Sequence, residues 1–260
     1  MRVSRAVDLV WLPVGLLFLA VTLRAIGFPA DPAPAPLLTW GTPSKDFVIK
    51  GKYAVSYNGA ARCPNYSIEY LSPMTLKTKG DRTNVGFKSD PLIPKEFSPK
   101  PSEYAHTLYD LGHVANAADA PDQASLVATF TMLNVCAELH SMNRGAMLHL
   151  ETHIRDLAKT PGTETWVVTL PIFNGGDGNL TITRFGESQI WVPRSVAKSV
   201  LQRTAAGTIT IRSWLIPNAE NLPHDVADFT ISTDEVERLA GFDVFAGVPD
   251  GVEDAEEAKR

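Results

Sequence analysis

YDLGHVANAAD, Tyr109–Asp119, sets a single histidine between glycine and valine, with an acid three residues ahead of it. A solvated loop histidine needs no such neighbours. TFTMLNV, Thr129–Val135, then alternates in the manner of a strand, and MNRGAMLHLETHIRDLAK follows. Within that stretch Met147, Leu150, Ile154 and Leu157 recur at steps of three and four, which predicts an amphipathic helix. Asn143 opens it, where an asparagine ordinarily serves as an N-cap.

On either side the pattern is mostly of strands. KYAVSYN and YSIEYL predict a hairpin around Asn58-Gly59 and Cys63-Pro64. Residues 77–100 form a long irregular excursion holding most of the concentrated positive charge. TWVVTLPIF, Thr165–Phe173, is nearly continuous in apolar residues, as expected of a strand buried on both faces. TITIRSWLI is a further strand. STDEVERLAGF is a short helix with Ser232 and Glu235 as its capping box and Gly241 as its stop. Strands and helices mix without βαβ alternation, which predicts an α+β fold.

The chain has 260 residues, 44% apolar and 20% charged, and a net charge of −5. That balance argues against a protein that coats nucleic acid by bulk attraction, but leaves room for an enzyme with a local positive groove. Residues 1–28 hold two early arginines and the apolar run Leu9–Leu23, a signal peptide or an N-terminal membrane anchor that would send the body across a membrane. Residues 29–37 are a Pro/Ala linker, 38–247 the globular body, and 248–260 an acidic tail without a periodic apolar face, expected to be disordered. Cys63 and Cys136 either pair, if the body is exported, or remain free thiols; no spacing supports a structural zinc site.

Several chemistries are poorly supported. His149 and His153 stand at i, i+4, but Glu151 lies about 200° round the helix from the first histidine and points away from any metal they share. NGGDGN, residues 174–179, lacks the Lys-Ser/Thr of a phosphate loop and is a turn. No GxSxG elbow is present. His113, Asp110, Asn134, Asn143 and Glu151 remain. Asn143 offers a neutral oxygen to a hard cation such as Mg²⁺, which takes few protein ligands. Glu151 stands roughly 12 Å further along a regular helix and suits an orienting role.

DLGHVANAAD followed by TFTMLNVCAELHSMNRGAMLHLE resembles the DNA/RNA non-specific endonuclease family (endonuclease G-like nucleases). The first hairpin, VVTLPIF, WVPRSVAKSVL and STDEVERLAGFDVF continue the likeness in order, from Tyr53 to Phe245. The resemblance implies a ββα-metal (His-Me finger) fold with a central, mostly antiparallel sheet flanked by helices. It implies a Mg²⁺-dependent endonuclease, Mn²⁺ substituting, that cuts DNA or RNA without sequence preference and leaves 5′-phosphates. His113 would be the general base and Asn143 the metal ligand. Glu151 would orient the metal's waters, Asn134 would support the site and Asp110 would brace the loop. Arg82 and Arg144 would meet phosphate, and a homodimer is in keeping with the family. The chain departs from the family pattern at Leu111 for arginine, Ala137 for proline, Glu138 for glutamine, Met147 for tryptophan and Leu170 for glycine. Loss of the arginine charge opens the alternative of a catalytically impaired nuclease fold that only binds nucleic acid or a protein.

Overall fold

In the computed structural model residues 36–174 and 182–259 are described. The expected signal peptide or anchor lies outside them, and so does most of the glycine-rich turn. Among the described residues no helix is long and apolar enough to cross a membrane.

In chain order the strands are β1 Val48–Lys50, β2 Tyr53–Asn58, β3 Cys63–Leu71, β4 Tyr109–His113, β5 Val135–Leu139, β6 Thr163–Ile172, β7 Arg184–Phe185, β8 Ile190–Trp191, β9 Ser195–Thr204, β10 Ile209–Pro217 and β11 Thr230–Ile231. Seven of them form one sheet in the order β1-β2-β3-β6-β9-β10-β11, antiparallel at every pairing. β4 pairs with β5 as a separate ribbon, as does β7 with β8. The helices are α1 Gln123–Thr129, α2 His140–Met142, α3 Leu148–Ala158, α4 Thr233–Ala240 and α5 Asp250–Glu257.

The sheet is buried on both faces, as the apolar run of β6 requires. Trp166, Val168, Leu170 and Ile172 face one core with Val236 and Leu239 of α4. Val167, with Val196 and Val200 of β9, faces the other core, with Met147, Leu150 and Ile154. Register and the two-residue period put Glu69, Thr169 and Lys198 on the same face as Val167. Polar groups thus sit in the middle of the sheet surface that α3 covers.

Four expectations need correction. The chain at Thr129–Asn134 is not a strand: α1 ends at Thr129, and a 3₁₀ turn spans Met132–Asn134. The Asn134 amide bonds the backbone of Ala115 and Thr129, which turns the chain before β5 starts. Asn143 is no N-cap, because helical structure begins at His140 and Asn143 has φ −60° and ψ −46°. A π-turn over Asn143–Met147 joins α2 to α3. The body starts before Leu38: Leu37 is buried, and the Pro36 carbonyl accepts from Trp166 Nε1 at 3.0 Å. The acidic tail is ordered as α5, with Val252 packed on the core. α4 forms as the capping box predicts: Ser232 Oγ accepts from the Glu235 N–H, and Gly241 closes the helix at φ +73°.

Candidate active site

His113 ends β4, opposite Val135 on β5. Its ring lies 4.7 Å from the Phe87 ring and 4.7 Å from the Phe130 ring. Nε2 is buried and has no hydrogen-bond partner. Burial, with the nearby charges of Arg82 and Lys198, holds the imidazole down to a pKa of about 3, so it is neutral at every physiological pH. Asn134 fixes the chain just beyond it. Its Oδ1 accepts from the Ala115 N–H at 2.7 Å, its Nδ2 donates to the carbonyls of Ala115 and Thr129, and its own carbonyl accepts from the Val114 N–H. Gly112 is required by packing, since a Cβ there would fall 2.5 Å from Glu138 Cδ.

Asp110, three residues before His113 on the same strand, ties the ribbon to the helix. Its Oδ2 accepts from Asn143 Nδ2 at 3.0 Å and from Arg144 Nε at 2.7 Å, and its Oδ1 accepts from Arg144 Nη2 at 2.5 Å. His140 Nδ1 stands 2.9 Å from the same Oδ1. Burial pushes this carboxyl up, but the Arg144 and Asn143 hydrogen bonds outweigh it and hold the carboxyl below the usual range. With its Nδ2 committed to Asp110, Asn143 keeps its Oδ1 without a protein donor among the described residues. That is a neutral oxygen suited to a hard divalent ion, so the donor chemistry fits the metal expected there.

Behind this layer lies a buried charge cluster. Lys198 rises from the centre of β9, donates to Thr169 Oγ1 at 3.0 Å and pairs with Glu151 Oε1 of α3 at 3.4 Å. Burial works against its charge, but Glu151, Glu69, Glu138 and Asp119 outweigh that and keep it protonated. Glu151 is itself pushed up by burial, a rise that Lys198 limits. Glu138 is pushed up to about 8 by burial and then by the Glu151 charge. It accepts from Cys136 Sγ at 3.3 Å through Oε1, while Oε2 has no partner. Asp119 accepts from Arg155 Nε at 2.5 Å. Cys63 and Cys136 are free and buried.

Cations gather on one side. The exposed Arg82 guanidinium lies over the Phe130 ring at 5.4 Å, next to the His113 wall. A groove of about 820 Å³ runs from it, lined by Lys77, Lys79, Arg82, Arg155 and Lys159, with Asp81 the one acid on its wall.

The expected residues divide as follows. His113, Asp110, Asn134 and Asn143 are joined through the β4–β5 ribbon and the start of the helix. Glu151 faces Lys198, and Arg82 reaches the His113 wall. Arg144 is occupied by Asp110. His149 lies against His224 and His153 against Trp214, and neither belongs to a cluster of three metal-ligating side chains among the described residues. Reading of the sequence did not assign Lys198 or Arg155. A lysine inside the apolar run SVAKSVL was the available signal for the first. The i, i+4 spacing of Arg155 from Glu151 was the signal for the second.

Residues 34–251 match the model of a family described as DNA/RNA non-specific endonuclease. The chain is 27% identical to the mitochondrial nuclease EXOG of Xenopus laevis over 77% of its own length, and spans 58% of that relative. It is 28% identical to Nuclease C1 of Cunninghamella echinulata, covering 83% of this chain and 89% of the relative. It is also 28% identical to the mitochondrial endonuclease G of Bos taurus, over 88% and 80%. A chain from the crystal structure of an EndoG/EndoGI complex, described as giving the mechanism of EndoG inhibition, superposes with a TM-score of 0.77. It shares 26% identity, over 85% of this chain and 95% of that one.

Proposed function

The chain belongs to the DNA/RNA non-specific endonuclease family, and from that premise we propose that it is a metal-dependent endonuclease that hydrolyses phosphodiester bonds in DNA or RNA with His113 as general base. The observation that carries this reading is a neutral imidazole with an unpartnered Nε2, on the strand whose Asp110 holds Asn143 with its Oδ1 free. Packing alone calls for neither lone pair to be left open.

Asn143 Oδ1 would hold the divalent ion, Mg²⁺ or in its place Mn²⁺, and Glu151 on the same helix would orient water toward it. Bound there, such an ion would supply positive charge against the charge that builds on the scissile phosphate and the departing oxygen. His113 Nε2 accepts a proton from the attacking water as its oxygen bonds to phosphorus. The P–O3′ bond breaks, the 3′-oxygen takes a proton from solvent, and a 5′-phosphate remains. An imidazole with a pKa of about 3 is a weak base in the free protein. A bound phosphodiester corrects this in two ways. It offsets the Arg82 charge that holds the ring's proton affinity down, and its own negative charge raises that affinity further. Base sequence plays little part, because phosphate contacts carry none.

Residues 36–260 incubated with supercoiled plasmid should nick and linearise it in Mg²⁺ and stop in EDTA, with His113→Ala strongly slowed under the same conditions. Folded wild-type protein that fails to cut across Mg²⁺, Mn²⁺ and pH would overturn the reading.

A further inference from the structure

The face of the sheet opposite the candidate site carries a group of acids that no cation pairs with among the described residues. α4 presents Asp234 and Glu237 one turn apart, and α5 brings Glu257 against them. One carboxylate oxygen from each of the three lies within 4.8 Å of the other two. Among the described residues none of the three forms a salt bridge. The nearest cations are already engaged: Arg238 pairs with Glu235, and Lys259 with Glu256. Glu237 Oε1 is committed to the Val244 N–H at 2.7 Å. Glu257 is only 3% exposed, and its Oε1 is buried with no hydrogen-bond partner.

This arrangement is unfavourable as it stands. α5 reads DGVEDAEE, five acids in eight residues, and it docks beside TDEVERLA, which has three acids and one arginine. Val252 supplies apolar contact. Apolar contact does not satisfy a buried carboxylate, which requires a proton, a cationic side chain or a metal. Among the described residues no cationic side chain pairs with any of the three. Asp243 and Glu253 also face the group: burial and then the Glu237 charge push Glu257 up to about 8, while burial and then the Asp243 charge push Glu237 up. The donors are all oxygens, without nitrogen or sulfur, which selects a hard cation over zinc or copper.

We infer that Asp234, Glu237 and Glu257 form a site for a hard divalent cation of the calcium type, which staples α5 to α4 and is separate from the ion at Asn143. The remaining ligands are water. Three protein carboxylates on two short helices suit an affinity in the weak class, a Kd of about 10⁻⁴–10⁻³ M.

The test uses the full chain carrying Asn143→Ala, so that the candidate catalytic ion does not contribute. Calorimetric titration with CaCl₂ should give one site in that affinity range. Ca²⁺ at ten times Kd should raise Tm by about 3–5 °C. Glu257→Gln and Asp234→Asn, each added to that background, should fold and lose both the binding and the Tm shift. A titration of the Asn143→Ala protein with neither heat nor Tm shift would overturn the proposal. So would a Ca²⁺ response that survives Glu257→Gln. If Glu257→Gln raises Tm by itself and Ca²⁺ adds nothing to either protein, the carboxyls share a proton and no metal binds.

Discussion

Aromatic walls and two nearby cations make His113 an imidazole that stays neutral where an exposed one would titrate. His113→Ala should lower the plasmid cleavage rate by about 10²–10⁴-fold while the fold persists, measured by gel assay beside thermal melting. The same environment links the residue to acid stability. Its folded pKa of about 3 lies below the ordinary value of 6.5, so between those limits the unfolded chain binds a proton that the folded chain refuses. That contribution to stability is intact above pH 6.5 and drains away as pH falls toward 3. The Tm of wild type should therefore fall faster than that of His113→Phe between pH 7 and 4. Glu138 runs the other way. Its folded pKa of about 8 exceeds the usual 4.5, so the protonated form suits the fold and stability is lost as pH rises through that interval. Glu138→Gln keeps a polar, uncharged group at this spot. Its advantage in Tm over wild type should grow from pH 5 to pH 9, and a constant offset would show that the carboxyl is already ionised. That glutamate stands where the family pattern has glutamine, and a protonated carboxyl is the nearest mimic of an amide.

At the level of elements, the helix that carries Asn143 and Glu151 is the instructive case. Its apolar positions were legible from spacing, because Leu150 and Ile154 do face the core. Its start was not, since Asn143 looks like an N-cap and is instead held by Asp110 from 33 residues away. A long-range partner leaves no mark in local pattern. The π-turn at Asn143–Met147 is equally silent, although such turns are rare and tend to occur at functional positions. Deleting Ala146 should restore regular α-helix and swing Asn143 by about 100° about the axis relative to α3. We expect helix content by circular dichroism to persist while Mg²⁺-dependent cleavage falls by more than about 10²-fold; retained cleavage would mean the π-turn does not set the asparagine's direction. The central strands were readable because burial on both faces writes a continuous apolar run, as in β6. Lys198 within β9 was the exception in that pattern. Lys198→Met should cost about 3–5 kcal/mol by leaving Glu151 buried without its cation, with part of the loss recovered in the Glu151→Gln background. Urea denaturation of the four proteins would measure the coupling.

Across the whole molecule, charge is sorted by face, a fact that the net value of −5 conceals. α4 and α5 hold eight acids on one side of the sheet. Lys77, Lys79, Arg82, Arg155 and Lys159 line the groove beside the candidate site on the other. A polyanion approaching such a protein is repelled by one side and guided by the other, so an acidic chain can bind nucleic acid and still release it. Leu111 removes a charge that the family pattern supplies on β4, and its side chain packs into an apolar cluster with Ala137. The groove is where compensating positive charge is available. Binding of a labelled oligonucleotide to His113→Ala protein in EDTA, where cleavage is suppressed, gives the affinity as a function of salt. Each neutralised phosphate contributes about 0.7–0.9 to the slope of log K against log salt. Lys77 and Lys79 make no ion pair among the described residues, whereas Lys159 is partly neutralised by Asp156 at 2.9 Å. Replacing all three with alanine should therefore reduce the slope by about 2, and the affinities of parent and variant should converge at high salt, where screening removes the difference. Arg238→Ala, a change of equal sign on the opposite face, should leave the slope where it was. If the two changes have the same small effect, the strand does not lie along this groove, and the cations there serve only to offset the acids behind them.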